Sequence, residues 1–215
     1  MKALNIDINK CLYKCMIGVG GIGSGKFFLL EGNHTLGREE SRSGRFLDTR
    51  DYCKLHIISH YVKTLLGHNF DVIPVGKIGD DEVGKSLLKE MSETGMNLNY
   101  LKHAKDSPTL FSFCFVYPDG SGGNMTTNDS ACAKVDAAFV EEAEPEFIRS
   151  AGRGIALAAP EVPMEAREKL LELGTEYNFF RVASFTSEEM ISVLQSGILR
   201  KTDLLAINID EAAAI

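Results

Sequence analysis

Five short apolar runs, at residues 16–19, 72–75, 155–159, 179–183 and 204–207, constrain this chain more than any other feature. They are too short for helices and lack strict in–out alternation, so they suit strands buried on both faces of a sheet. Helical patterns lie between several of them. Leu55, Ile58, Val62 and Leu65/Leu66 recur every three to four residues, as do Val83, Leu87/Leu88 and Met91, with Gly95 closing the second pattern. Pro163 is placed to open a third helix running to Gly174, with Leu170 and Leu171 inward, and residues 187–197 read as a fourth. Strands alternating with helices predict an α/β domain built on a doubly wound, mainly parallel sheet.

Two segments break that rhythm. Residues 109–117 alternate, with Phe111, Phe113, Phe115 and Tyr117 on one face, ahead of the turn PDGSGG. Residues 26–30 and 35–36 flank Gly32-Asn33, a second hairpin signal. These predict a small β lid from strands around 26–50 and 109–127. The intervening Arg38, Arg42, Arg45 and Arg50, interleaved with Glu39, Glu40 and Asp48, form a segment too polar for a core. It reads as a salt-paired surface, or as a cluster receiving an acidic or phosphorylated substrate.

A length of 215 residues is enough for one full core. The formal net charge of −7 argues against a general nucleic-acid or anionic-membrane binder. No apolar run reaches the roughly 18 residues of a membrane span, and the N-terminus carries no signal-peptide pattern. Cys11, Cys15, Cys53, Cys114 and Cys132 are an odd count with no CxxC pair, which predicts free thiols and a cytoplasmic protein. Cys114 and Cys132 read as small buried residues.

Residues 20–26, GGIGSGK, fit the opening of a phosphate-binding G-x4-G-K loop. Phe27 stands where that loop needs a Ser or Thr hydroxyl for Mg2+, and FFLLEGNHTLG does not look like the helix that should follow. A P-loop-type nucleotide binder is therefore a minor alternative to a tight glycine turn. The amides of Gly20 and Gly21 could also approach a polar ligand. His56 and His60 share a helix face four residues apart, without an obvious third metal ligand.

The run PVGKIGDDEVGKSLLKEMSETG, residues 74–95, is similar to the strand–turn–helix of the ribokinase-like, or PfkB, family of carbohydrate kinases. There Gly79 would permit the turn and Asp80 or Asp81 would cap the helix, a structural rather than catalytic role. SPTLFSFCFVYPDGSGGN resembles the family's lid hairpin and its glycine-asparagine loop, which includes Asn124. APEVPMEARE resembles the segment whose glutamate contacts the sugar, here Glu161. DLLAINIDEA resembles the family's N-x-x-E, here Asn208 and Glu211.

The resemblance spans residues 15–215 and implies a kinase that moves the γ-phosphate of ATP to a hydroxyl of a sugar or similar small molecule. It implies acceptor contacts from Gly20, Gly21, Asn124 and Glu161, and nucleotide contacts from Asn208 and Glu211. Glu211 would act on Mg2+ through water. It also implies a possible homodimer through the lid strands.

Departures accompany it. The first strand runs into GVGGIGSG with no acid, and no Gly-Gly opens the first long helix. Asp51, Lys54 or His56 would have to supply polar contacts instead. The G-A-G-D segment that holds the family's catalytic aspartate is absent, which predicts no catalytic residue within this chain, a domain incomplete at its C-terminus and an inactive isolated segment. A non-catalytic binding relative is the alternative these departures favour.

Overall fold

A computed structural model describes residues 3–214. The main sheet has six strands, all paired in parallel, in the order β10-β9-β8-β1-β4-β5. Strand β1, Cys15–Val19, lies at its centre between β4, Asp71–Gly79, and β8, Gly154–Ala158. Strands β5, Leu101–Ala104, β9, Phe180–Ala183, and β10, Leu204–Leu205, complete it. The apolar runs thus become strands, as their composition requires. The last is an exception in depth: β10 is only two residues long, and Leu204 on this sheet edge is 46% exposed.

Helices cover both faces, and β1 shows why. Its alternate residues Cys15, Ile17 and Val19 join one core with Phe147, Leu170 and Leu171, while Met16 points into a second with Leu55, Leu87 and Met91. Helices α1, Lys54–Leu66, and α2, Glu82–Glu93, lie on the second side. Helices α3, Ala137–Glu141, α4, Glu144–Arg149, and α5, Met164–Glu176, lie on the first, followed by α6, Met190–Ser196, and the short α7, Ile209–Ala213. Gly174 sits inside α5 because the helix rides directly on β8, and a Cβ there would stand 2.9 Å from the Ala156 methyl. Val83, expected on the inward stripe of α2, is instead 42% exposed.

The second sheet has four strands in the order β3-β2-β6-β7. These are β2, Gly23–Leu30, β3, Gly44–Tyr52, β6, Leu110–Val116, and β7, Gly122–Thr126. Strands β2 and β6 run parallel, and the outer pairs are antiparallel. One expectation needs correction here. The partner of β2 is not residues 35–36 across a Gly32-Asn33 hairpin but β3, after a longer connection. The arginine-bearing segment is therefore partly a strand, an exposed lid edge where charge is tolerated and unwanted pairing is discouraged.

The phosphate-loop reading also fails. Gly23, Gly25 and Lys26 lie within strand β2, with the Lys26 ammonium 5.4 Å from the Phe46 ring centroid, and no helix N-terminus follows to hold phosphate.

Candidate functional site

The site begins where β1 and β8 end side by side. In open parallel sheets, ligands gather outside the carboxyl ends of the strands. Beyond β8 the chain turns sharply at Glu161, a non-glycine residue in the left-handed region with φ 76°. That turn folds the carboxylate back over Gly21. A Cβ on Gly21 would stand 2.1 Å from Glu161 Oε2, so the glycine leaves the space the acid occupies. The Gly21 amide is committed to the Pro160 carbonyl, and Gly20 packs against Ala159 and Leu55. Both glycines make room for Glu161 and its connection.

Glu161 Oε2 accepts a hydrogen bond from the Lys54 amide at the start of α1. Burial pushes its carboxyl above the ordinary carboxylate range, bonds from Lys54 and the Cys53 thiol work against that, and the charge of Asp51 adds to the rise. Lys54 extends the site in the other direction. Its ammonium lies 3.5 Å from Glu211 Oε1, so one residue ties Glu161 to the start of α7. Asn208 and Glu211 cap that helix reciprocally: Asn208 Oδ1 accepts from the Glu211 amide, and Glu211 Oε2 from the Asn208 amide.

One Glu211 oxygen is in the cap and the other faces an ammonium, so both are engaged within the chain. Among the described residues no group of three or more His, Cys, Asp or Glu is placed to hold a metal ion. The arrangement fits an ion held mainly by its own waters and by phosphates, with Glu211 bonding to a water.

The lid closes over this from the other side. Strand register puts Asp51, Gly25, Ser112 and Thr126 in one row across β3, β2, β6 and β7, with Phe27, Cys114 and Asn124 in the next row on the same face. Asn124 is thus on the face that carries Asp51, although exposed. Leu110 and Thr126 of the lid, with Glu161 and Val162 of the body, line a cavity of about 240 Å3. Asp51 and Phe27, with Ile57 and Tyr61 of α1, line another of about 570 Å3. A cavity of about 630 Å3 lies between α2 and the opposite lid face, beside Lys26, Phe46 and Phe111, away from these groups.

The row was hidden in the sequence because the alternating phenylalanines of β6 drew attention to their own face. That face carries the half-exposed aromatic rings, and Ser112 and Cys114 are the buried side.

His56 and His60 stack with ring centroids 4.5 Å apart, beside Tyr52, and line the cavity that Asp51 lines. The arginine cluster divides: Arg42 pairs with Glu40 and Arg50 with Glu90, as a salt-paired surface would. Arg167, buried on α5 and paired to Glu189, had no sequence signal, because its charge falls within an ordinary amphipathic helix pattern.

An α/β body with a parallel sheet, a four-stranded lid and a carboxylate between them defines the ribokinase-like class. Solved structures of that class superpose on the chain. The Giardia lamblia ribokinase aligns with a TM-score of 0.69 at 16% identity, covering 93% of this chain and 58% of that one. The Arabidopsis thaliana ribokinase complexed with ribose and ATP gives 0.61 at 16%, covering 94% and 62%. The Burkholderia thailandensis nucleoside kinase in complex with inosine gives 0.63 at 15%, covering 92% and 62%. The chain thus spans about three fifths of the length of these structures. No curated protein matches the sequence. Residues 60–215 match the pfkB family carbohydrate kinase profile, and the chain belongs to that family.

Proposed function

We propose that this chain is the acceptor-binding part and lid of an ATP-dependent carbohydrate kinase, which phosphorylates a hydroxyl of a sugar or similar small molecule. One observation carries the reading: Glu161 is held at the carboxyl ends of β1 and β8, under the lid, with its carboxylate positioned by the Lys54 amide. A carboxylate there accepts hydrogen bonds from acceptor hydroxyls and fixes their orientation, which is most of what a protein contributes to phosphoryl transfer. Asn124 would add a contact from the lid. Asn208 and Glu211 lie on the side where the nucleotide phosphates would come, with Lys54 between the two sites, its amide on Glu161 and its ammonium on Glu211. When bound, Mg2+ would neutralise charge on the transferring phosphates, with Glu211 orienting one of its waters.

The base that takes the acceptor proton would come from outside residues 1–215. A cytoplasmic setting accords with the free thiols, and β7, the uncharged lid edge, would be the one to pair two copies. The second reading, a non-catalytic binding relative, draws on the way Asn208, Glu211 and Lys54 satisfy one another. Acceptor-dependent ADP formation decides between them. The kinase reading expects it from the full-length protein and not from residues 1–215. Sugar binding without ADP formation by the full-length protein supports the binding relative.

A further inference from the structure

The lid carries a carboxylate of its own, and its placement is built. Asp51, the next-to-last residue of β3, pairs with Gly25 of β2, which in turn pairs with Ser112 of β6. In an ordinary sheet the middle residue would separate the outer two. Here the middle residue has no side chain, and a Cβ on Gly25 would stand 2.0 Å from Ser112 Oγ. Through that gap Asp51 Oδ2 accepts hydrogen bonds from the Ser112 hydroxyl and from the Cys114 thiol at 3.2 Å. The gap and the two donors fix the carboxylate in place. Asp51 Oδ1 receives no hydrogen bond from the described residues.

Asp51 lines the cavity of about 570 Å3 between lid and α1, and its charge adds a minor part to the rise of the Glu161 carboxyl that burial causes. Asp51 and Glu161 line two cavities beneath one lid face, of about 570 and about 240 Å3, and Thr126, at the far end of the Asp51 row, lines the cavity of Glu161. The cations beside them are engaged elsewhere, the Lys54 ammonium with Glu211 and the Arg50 guanidinium, which lines the Asp51 cavity, with Glu90. Such a pair favours a ligand that donates hydrogen bonds from hydroxyls and opposes one that brings negative charge to the same place.

The geometry points to Asp51 as a substrate-binding and specificity-determining residue, which selects an uncharged polyhydroxylated acceptor over a phosphorylated or acidic one. This rests on the reading that the cleft beside Glu161 is the acceptor site. Gly25 is the positioning residue that allows it, which also gives the glycine-rich GGIGSGK run a use unrelated to phosphate.

Binding to the full-length protein, measured by calorimetry with ribose, inosine and ribose 5-phosphate as probes, tests this. Wild type should bind ribose or inosine more tightly than ribose 5-phosphate. Asp51→Asn should weaken the uncharged probe by about tenfold or more, as loss of a hydrogen bond to a charged group does. The same variant should narrow the discrimination against ribose 5-phosphate, a change that loosened packing alone would not produce. Gly25→Ala keeps the carboxylate but closes its gap, and should lose affinity in the same direction. Should Gly25→Ala fail to fold, the near-isosteric Asp51→Asn decides.

Uncharged-probe affinity and charge discrimination both unchanged in Asp51→Asn would overturn the assignment while leaving the acceptor site intact. Tighter binding of ribose 5-phosphate than of the uncharged probes to wild type would overturn it too. No binding of any of the three probes would overturn both this assignment and the acceptor-site reading. Binding with the expected pattern, but without ADP formation, would support Asp51 and overturn only the kinase.

Discussion

At Asp81 a single carboxylate holds three donors. Its Oδ1 takes the Gly84 amide, capping α2, and the Thr109 hydroxyl, while Oδ2 takes the Thr109 amide at 2.7 Å. Gly79 makes this possible, because a Cβ there would stand 2.4 Å from the Thr109 amide nitrogen. The family's glycine–aspartate turn therefore fastens the main sheet to the first residue before β6. Burial raises the Asp81 carboxyl, but the bonds from Thr109 and Gly84 outweigh it and hold the group below its ordinary value of 3.8. Asp81→Ala should cost about 2–3 kcal/mol in denaturant unfolding, a lost cap plus unpaired donors. Its contribution is complete above the unfolded value and is lost as pH falls through the lower folded one.

His56 works in the other direction of charge. It is 1% exposed, and burial followed by the neighbouring His60 pushes it from 6.5 down to about 3. The native state keeps it neutral while the unfolded chain takes a proton below about pH 6.5, so stability falls by about 1.4 kcal/mol for each pH unit in that range. His60, also lowered by burial, adds to the effect. Unfolding curves at pH 7.5, 6 and 5 should show the decline in wild type and a shallower one in His56→Gln. Neither role was legible beforehand in full. The cap at Asp81 follows from its position before a helical pattern, but its grip on Thr109 joins residues 28 apart in sequence.

Among the elements, α5 is bound to the segment before α6 by a buried ion pair. The Arg167 guanidinium is 1% exposed, lies 5.4 Å from the Phe185 ring centroid and bonds both oxygens of Glu189. Glu189 also caps that segment through the Thr186 amide. Removing the acid strands a fully buried cation, so Glu189→Ala should cost about 3–5 kcal/mol. Arg167→Met should cost less, because Glu189 keeps a quarter of its side chain in water. A double-mutant cycle measures the difference.

The strands show which elements a sequence displays. The central ones announced themselves because burial on both faces leaves no choice of residue type. Strand β3 did not: on a lid edge its residues are half charged, and its pairing with β2 includes a register shift between Lys26 and Phe28 that breaks any regular pattern. The polar row on the lid was hidden for the same reason. Gly25 matters for the side chain it lacks, and that is visible only when Asp51 and Ser112 are seen on either side of it.

For the molecule as a whole, the parallel sheet, its helices and the lid were legible, and so was the place of Glu161 just after a core strand, because a family motif carries it. The placing of Asp51 on the lid face that covers this end of the sheet was not, since it depends on how the lid sits over the body. On the proposed reading the chain offers an acceptor surfaces from two sides, and the transferable phosphate comes with the nucleotide on the side of Glu211. Residues 1–215 alone should therefore bind ribose or inosine far more readily than they consume ATP, and calorimetry beside an ADP assay on the same sample checks this.

The most direct test is the initial rate of acceptor phosphorylation by the full-length protein, wild type against Glu161→Gln, with ribose and inosine as acceptors. The expected result is acceptor-dependent turnover in which Glu161→Gln lowers kcat/KM for the acceptor by about a hundredfold and leaves the KM for ATP unchanged, as for a buried charged hydrogen bond to substrate. Absence of acceptor-dependent turnover, or a Glu161→Gln variant as active as wild type, would contradict it.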